Sequence, residues 1–263
     1  MVFASPKTPK RQGANSQPFG AGRMEAEKPK TLGEEAYRYL RQDILSGRLA
    51  PETKLRFREL RDRYGIGLAG LREALSRLAS DRLVAFEPLR GYRVAPISLE
   101  ELRDISALRI DLSIRALHDS IDRGDAAWEA EILASLHRLV RCPLPLSLDD
   151  FAAIEEWEKK HEEFHRSLLA ACGSPWTLHF CSILSFQFER YRRHILLGMA
   201  GSNETAGRID HEHEQIARTI VSRNKEAACR LLALHFQGSL KYYVEHYPDR
   251  KLARTQRAET VTV

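Results

Sequence analysis

His161 and His165 stand four residues apart in the segment His161-Glu-Glu-Phe-His165. On a helix that spacing puts two imidazoles on one face, about 40° apart, where they can share one divalent metal ion. The same five residues read as H-E-x-x-H, in which Glu162 would be the general base of a zinc peptidase. A peptidase also needs an edge strand to align its substrate, and the region has no strand pattern. Leu168 and Ala171 occupy the positions where the extended zinc-peptidase motif requires Gly and His. A zinc-dependent hydrolase is therefore the alternative reading, and Glu162 is read as a solvated or ligand-supporting carboxylate. His213 and His235 fall on the last two helical segments, and four imidazole nitrogens converge if those segments pack beside the helix of His165. An all-imidazole set favours Zn²⁺, with Ni²⁺ as the other fit, over harder ions such as Mg²⁺ or Mn²⁺.

The second set of chemically capable residues is basic and lies near the front of the chain. Arg72 sits on the exposed face of a short helix together with Gly67, Leu68, Gly70, Glu73 and Ser76. Its forked guanidinium suits a guanine edge or a phosphate. Arg56, Arg58 and Arg61 precede it, and Arg90 and Arg93 follow in a hairpin; all five can meet phosphates and set register on a duplex. Glu59, Asp62 and Glu73 are close enough in sequence to pair with several of them, which would leave an ordinary charged surface.

The charge distribution favours nucleic acid. The net charge is +5, but residues 1–31 hold six Lys/Arg against two Glu and residues 32–97 hold thirteen basic against nine acidic groups. Residues 98–263 hold 22 basic against 25 acidic groups, so the basic character is confined to the front. No run of 18 apolar residues and no secretory h-region appears, which predicts a soluble cytoplasmic protein without a membrane partner. Cys142, Cys172, Cys181 and Cys229 are scattered without a C-x-x-C pair and are expected to be reduced.

The elements that must position these groups follow from periodicity. Residues 1–30, rich in Pro, Gly, Ser and Lys/Arg, are expected to form a disordered basic tail. Leu32, Ala36, Leu40, Ile44 and Leu45 mark a first helix stopped by Gly47. A second follows Pro51, with Leu55, Leu60 and Tyr64 inward and Gly65 as its stop. A third spans about Ala69 to Ser80, with Leu71, Ala74, Leu75 and Leu78 buried. The runs LVAF and YRVAPI alternate as two strands around Gly91. Three helices and a hairpin over 31–97 make a winged helix-turn-helix. Ser98-Leu-Glu-Glu101 is a capping box opening a helix to about Arg123. Further helices are expected at 125–141, 148–172, 175–198, 206–222 and 225–246, giving a mainly α chain with an all-α six-helix bundle over 98–247 and a flexible tail at 248–263. One recognition helix reads only a few base pairs, so a homodimer on an inverted repeat is expected.

The stretch ILSGRLAPETKLRFRELRDRYGIGLAGLREALSRLASDRLVAFEPLRGYRVAPIS resembles the head of GntR-type regulators, most closely in LREAL at 71–75 and RGYRV at 90–94. That resemblance implies a double-stranded DNA operator. The family's usual arginine is replaced by Leu68 and its usual proline by Gly70, which implies a different operator. The remainder is similar to the effector domain of the FadR-type branch, an FCD domain, where a metal is held by an Asp-x-x-x-His pair and two later histidines. His165, His213 and His235 match three of those positions, and His161 stands at the Asp. The resemblance further implies a small carboxylate effector beside the metal, with Arg109 at the position of its arginine and Arg193, in the cluster Arg190-Tyr-Arg-Arg193, as a second anion contact. RYGIGLAGLREALSRL, GYRVAPIS, HEEFH and ACGS are similar to glutarate-responsive members of the branch, which implies glutarate or another dicarboxylate.

Overall fold

A computed structural model of the chain describes residues 31–145, 150–199 and 203–246; the two expected tails lie outside the described residues. Helix α1 (Leu32–Leu45) starts at Thr31, whose side chain accepts from the Glu34 amide. Strand β1 (Lys54–Leu55) leads into α2 (Phe57–Tyr64) and α3 (Leu68–Ser80). Gly65 ends α2 at φ 69°, a left-handed position that a side chain would strain. The hairpin β2 (Val84–Glu87) and β3 (Gly91–Val94) completes a three-stranded sheet in the order β1-β3-β2, all antiparallel. Leu40, Leu71, Leu75, Leu78 and Leu83 are fully buried at its centre. The helical stripe read from the sequence is the face that α3 turns toward α1.

Leu55 departs from expectation. It lies not on a helix but in β1, opposite Tyr92, and the chain reverses just before it with Glu52 at φ 65°. A two-residue strand has no period of its own, and only its pairing with the wing defines it.

The remaining described residues form six helices: α4 (Leu99–Arg123), α5 (Ala126–Val140), α6 (Phe151–Leu169), α7 (Pro175–Met199), α8 (Asn203–Val221) and α9 (Lys225–His246). The chain is mainly α, as the sequence predicts, with the small sheet confined to the wing region. The Ser98 side chain accepts from the Glu101 amide at 3.3 Å, but Glu101 does not reach back as a capping box would have it. Its carboxylate takes bonds from Tyr191 (2.6 Å) and Arg190 on α7 instead. A charged pair and a buried phenol outcompete the helix-end amide, so Glu101 ties α4 to α7. Gly124 caps the end of α4, and the Trp128 ring lies so close that a Cβ there would sit 2.0 Å from it. All four cysteines are free. No helix among the described residues is long and apolar enough to cross a membrane.

Candidate functional site

Helices α6, α8 and α9 bring four histidines together. His161 and His165 leave α6 on one face, stacked against Trp157 and packed on Phe164, and their Nε2 atoms are 3.2 Å apart. His213 comes from α8 and His235 from α9, with ring centroids 4.7 Å apart. One ligand atom from each of the four lies within 4.8 Å of every other. All four rings are buried, between 0% and 8% exposed.

The electrostatics fit a metal. Burial pushes all four histidines below their ordinary pKa; neighbouring imidazoles add to it at His161, His165 and His213, Arg192 or Arg109 add at His161, His165 and His235, and Glu212 opposes it at His235. They are therefore neutral, the form that ligates. Both nitrogens of His213 and the Nδ1 atoms of His161 and His165 have no hydrogen-bond partner. Buried polar atoms without partners are costly, and several converging on one point suit a cation. His235 Nδ1 bonds Glu212 Oε2 at 2.9 Å, which fixes the ring and leaves Nε2 for the cluster. Glu212 was not legible as a site residue, although its place beside His213 is the signal that could have found it. These four residues could hold a metal ion.

Charged side chains of α4, α6 and α7 surround the cluster. Arg109 on α4 is 3% exposed, with its guanidinium 3.7 Å from the centre of the Phe236 ring. Its Nε has no partner, and burial with repulsion from Arg192 lowers its pKa to about 9. Arg192 on α7 pairs with Glu158 on α6 through Nε at 2.8 Å and through Nη2. Glu162 lines a small cavity with His165, Ser113, Cys181 and Phe236, and burial raises its carboxyl pKa against the pull of Arg192 and Arg109. Arg193 is placed differently from Arg192. It bonds Glu189 Oε1 at 2.9 and 3.2 Å, while the other oxygen of Glu189 takes Arg41 from α1. The structure thus brings Arg109 and Arg192 to the histidines and gives Arg193 to the contact between α7 and the winged helix-turn-helix. Arg192, Glu158 and Glu189 were missed because sequence alone does not fix which residue of a basic cluster faces inward.

The basic residues of the front unit are displayed around α3. Gly67 precedes α3 without a side-chain cap, and no acidic residue sits in the first turn. Its amides and positive dipole end are open to a phosphate. Leu68 is 46% exposed at that end, and Arg72 projects beside Phe57. Gly70 is half-buried rather than presented: a Cβ there would meet Ile66 at 3.0 Å and the Leu32 carbonyl at 3.2 Å, so it sets the approach of α3 to α1. Glu73 lies over Gly33 at the start of α1. Arg58 is exposed, and Arg56 and Arg61 are exposed with Glu59 (2.8 Å) and Asp62 (3.5 Å) as neighbours. At the wing, Arg90 and Arg93 lie 3.5 and 3.7 Å from Glu87, and Arg93 also donates to the Glu52 carbonyl. These are surface pairs that a phosphate can displace at small cost.

Comparison with known proteins agrees with this architecture. Residues 32–94 match the model of bacterial regulatory proteins of the gntR family, and residues 104–238 match the FCD domain. BphR of Paraburkholderia xenovorans, described as an uncharacterized HTH-type transcriptional regulator, is 38% identical over 80% of this chain and 84% of its own. GlaR of Escherichia coli, an HTH-type transcriptional repressor, is 33% identical over 76% of this chain and 90% of its own. Among solved structures, Escherichia coli McbR/YncC superposes with a TM-score of 0.61 at 18% identity, over 82% of this chain and 99% of that one, which speaks for the fold alone. The relatives are regulators, and the strands among the described residues lie in the wing sheet, away from the histidines. Nothing favours the hydrolase reading of His161-Glu-Glu-Phe-His165. The chain belongs to the gntR family of bacterial regulatory proteins, in the group that carries an FCD domain, and is a DNA-binding transcriptional regulator.

Proposed function

We propose that the protein is a repressor that binds an inverted-repeat operator as a homodimer and leaves it when a small carboxylate enters the helical body beside a divalent metal, Zn²⁺ or Ni²⁺. The observation that carries this reading is the set of buried, neutral imidazoles with unpartnered nitrogens. His161, His165, His213 and His235 would hold the ion, and Glu212 orients His235. When bound, the ion supplies a fixed positive charge for an anionic ligand. Arg109 adds a second positive group, and Phe236, packed on its guanidinium, keeps water away from that face. Glutarate and related dicarboxylates of four to six carbons are the first effectors to test, on the strength of the sequence resemblance.

Helix α7 connects the body to the reading head. Glu189 pairs with Arg41 on α1, and Gln187 donates to the carbonyl of Asp81, the residue that ends α3. Asp81 in turn accepts from Tyr37 on α1 at 2.6 Å. A shift of α7 therefore moves α1 and α3 as one body. Two half-sites lie at a fixed spacing, so a small reorientation of the heads stops both recognition helices docking together. Weakening the operator complex tenfold takes about 1.4 kcal/mol of differential ligand binding. The apolar stripe Trp176, Phe180 and Ile183 on α7 is exposed in the single chain and is surface of the kind a second copy covers.

Elemental analysis of untagged protein is expected to give near one Zn or Ni per chain, and His213→Ala to lower it; metal-free protein that still responds to its effector would remove the ion from the mechanism. In the head, Arg72→Ala is expected to cost about 1–3 kcal/mol of operator binding if Arg72 reads a base. Gel shifts at fixed salt check this, and equal loss on unrelated DNA would instead make Arg72 a phosphate contact.

A further inference from the structure

The buried ion pair between Arg192 and Glu158 is incomplete. Both side chains are less than a tenth exposed, yet Arg192 Nε and Nη2 converge on a single oxygen, Oε2. Glu158 Oε1 and Arg192 Nη1 are left buried without any partner, as is the Nε of Arg109. A structural arginine–carboxylate pair that is taken out of water normally uses both prongs and both oxygens, because each unmade bond costs the full desolvation of the group. Arg109 and Arg192 also repel each other across this region, offset by Glu158 and Glu162 of α6 and, at Arg192, by Glu189 of α7. Unused donors on two facing cations define a place for an anion that the chain itself only half fills.

We infer that Arg192 is the receptor for a second anionic group on the effector, and that Glu158 is a built-in stand-in which holds the guanidinium until the ligand displaces it. The inference rests on the reading of the body as a carboxylate site and adds the residue that takes the second anionic end and the competition that sets its affinity. One carboxylate lies at the histidine end near Arg109. The other takes the fork of Arg192, including the Nη1 that Glu158 leaves empty. A monocarboxylate satisfies only the first position, so a ligand with two anionic ends binds more tightly. In its present place Glu158 acts on Arg41 together with Glu189 and Glu155. Displacement thereby changes the field on the α1 to α7 ion pair.

Calorimetric titration of the full-length, metal-loaded protein with glutarate and with valerate, a monocarboxylate of equal length, tests the idea. Glutarate is expected to bind at least tenfold more tightly than valerate. Arg192→Gln should bring glutarate down to the valerate level and leave valerate unchanged. Glu158→Gln, whose amide still accepts a bond from Arg192 but offers no charge, should tighten glutarate at least threefold. A gain in affinity cannot come from lost structure, so this arm decides the matter even if Arg192→Gln does not fold. Equal binding of the two probes to the wild-type protein, or glutarate affinity that Glu158→Gln leaves unchanged or weakens, overturns the inference while the carboxylate reading of the body stands. Failure of both probes to bind overturns both.

Discussion

Protein stripped of metal by a chelator is expected to lose stability steeply as the pH falls below about 6.5. Burial depresses the folded-state pKa of His161, His165, His213 and His235. In the unfolded chain they titrate near the ordinary histidine value of about 6.5. Between that value and the lower folded-state values the unfolded chain binds protons that the folded chain does not, so stability rises with pH across the window and is lost on acidification. Each histidine contributes at most about 1.4 kcal/mol per pH unit, and four together at most about 5.5 kcal/mol per pH unit. Above the window all four are neutral in both states and the effect vanishes. A bound metal competes with protons for the same nitrogens, so the loaded protein should hold its stability to lower pH. Denaturant unfolding from about pH 7.5 down to 5 measures both curves. A flat profile for the stripped protein would mean that the four imidazoles are solvated rather than packed.

Arg192→Met is expected to destabilise the fold by about 3–5 kcal/mol, because it strands Glu158 as an unpaired charge inside the body. Glu158→Leu combined with Arg192→Met should recover most of that loss, since replacing both partners of a buried pair removes the desolvation penalty with the attraction. The exposed pair Arg138–Glu131 supplies the contrast: breaking its 2.6 Å bridge should change stability by about 1 kcal/mol or less. Urea titrations of these variants beside the wild type form the test. Equal effects at the two pairs would show that water reaches Arg192, which would also remove the basis for its role as an anion receptor.

What could be read from the sequence follows physical range. Leu71, Ala74, Leu75 and Leu78 repeat at helical spacing, and Gly65 sits where α2 must stop, so α3 and its turn were legible from local pattern alone. The histidines were legible because His161 and His165 share a helical face and because α8 and α9 each offer one ring to the cluster. Leu55 was not, because its strand exists only through pairing with Tyr92. Glu101 satisfied a local capping rule and was then taken by Arg190 and Tyr191, some ninety residues away. Neighbouring residues of a helix point about 100° apart, and that rotation separates Arg192, beside the metal candidates, from Arg193, beside the head. No periodicity in the mixed segment Arg190-Tyr-Arg-Arg193 sets its phase. Gly70 falls on the reading face by helical phase, and only the long-range approach of the Leu32 carbonyl gives it its packing role.

On the proposed mechanism, α7 couples an anion site in the helical body to operator binding. Fluorescence anisotropy of the full-length protein on the DNA upstream of its own gene, at fixed salt and with glutarate added, tests it most directly. The expected result is a salt-sensitive, sequence-selective complex whose affinity falls at least tenfold with glutarate, and a response that disappears in Arg109→Ala while DNA binding without ligand is retained. An operator complex indifferent to every dicarboxylate of four to six carbons, with Arg109→Ala folding and binding DNA like the wild type, would contradict it.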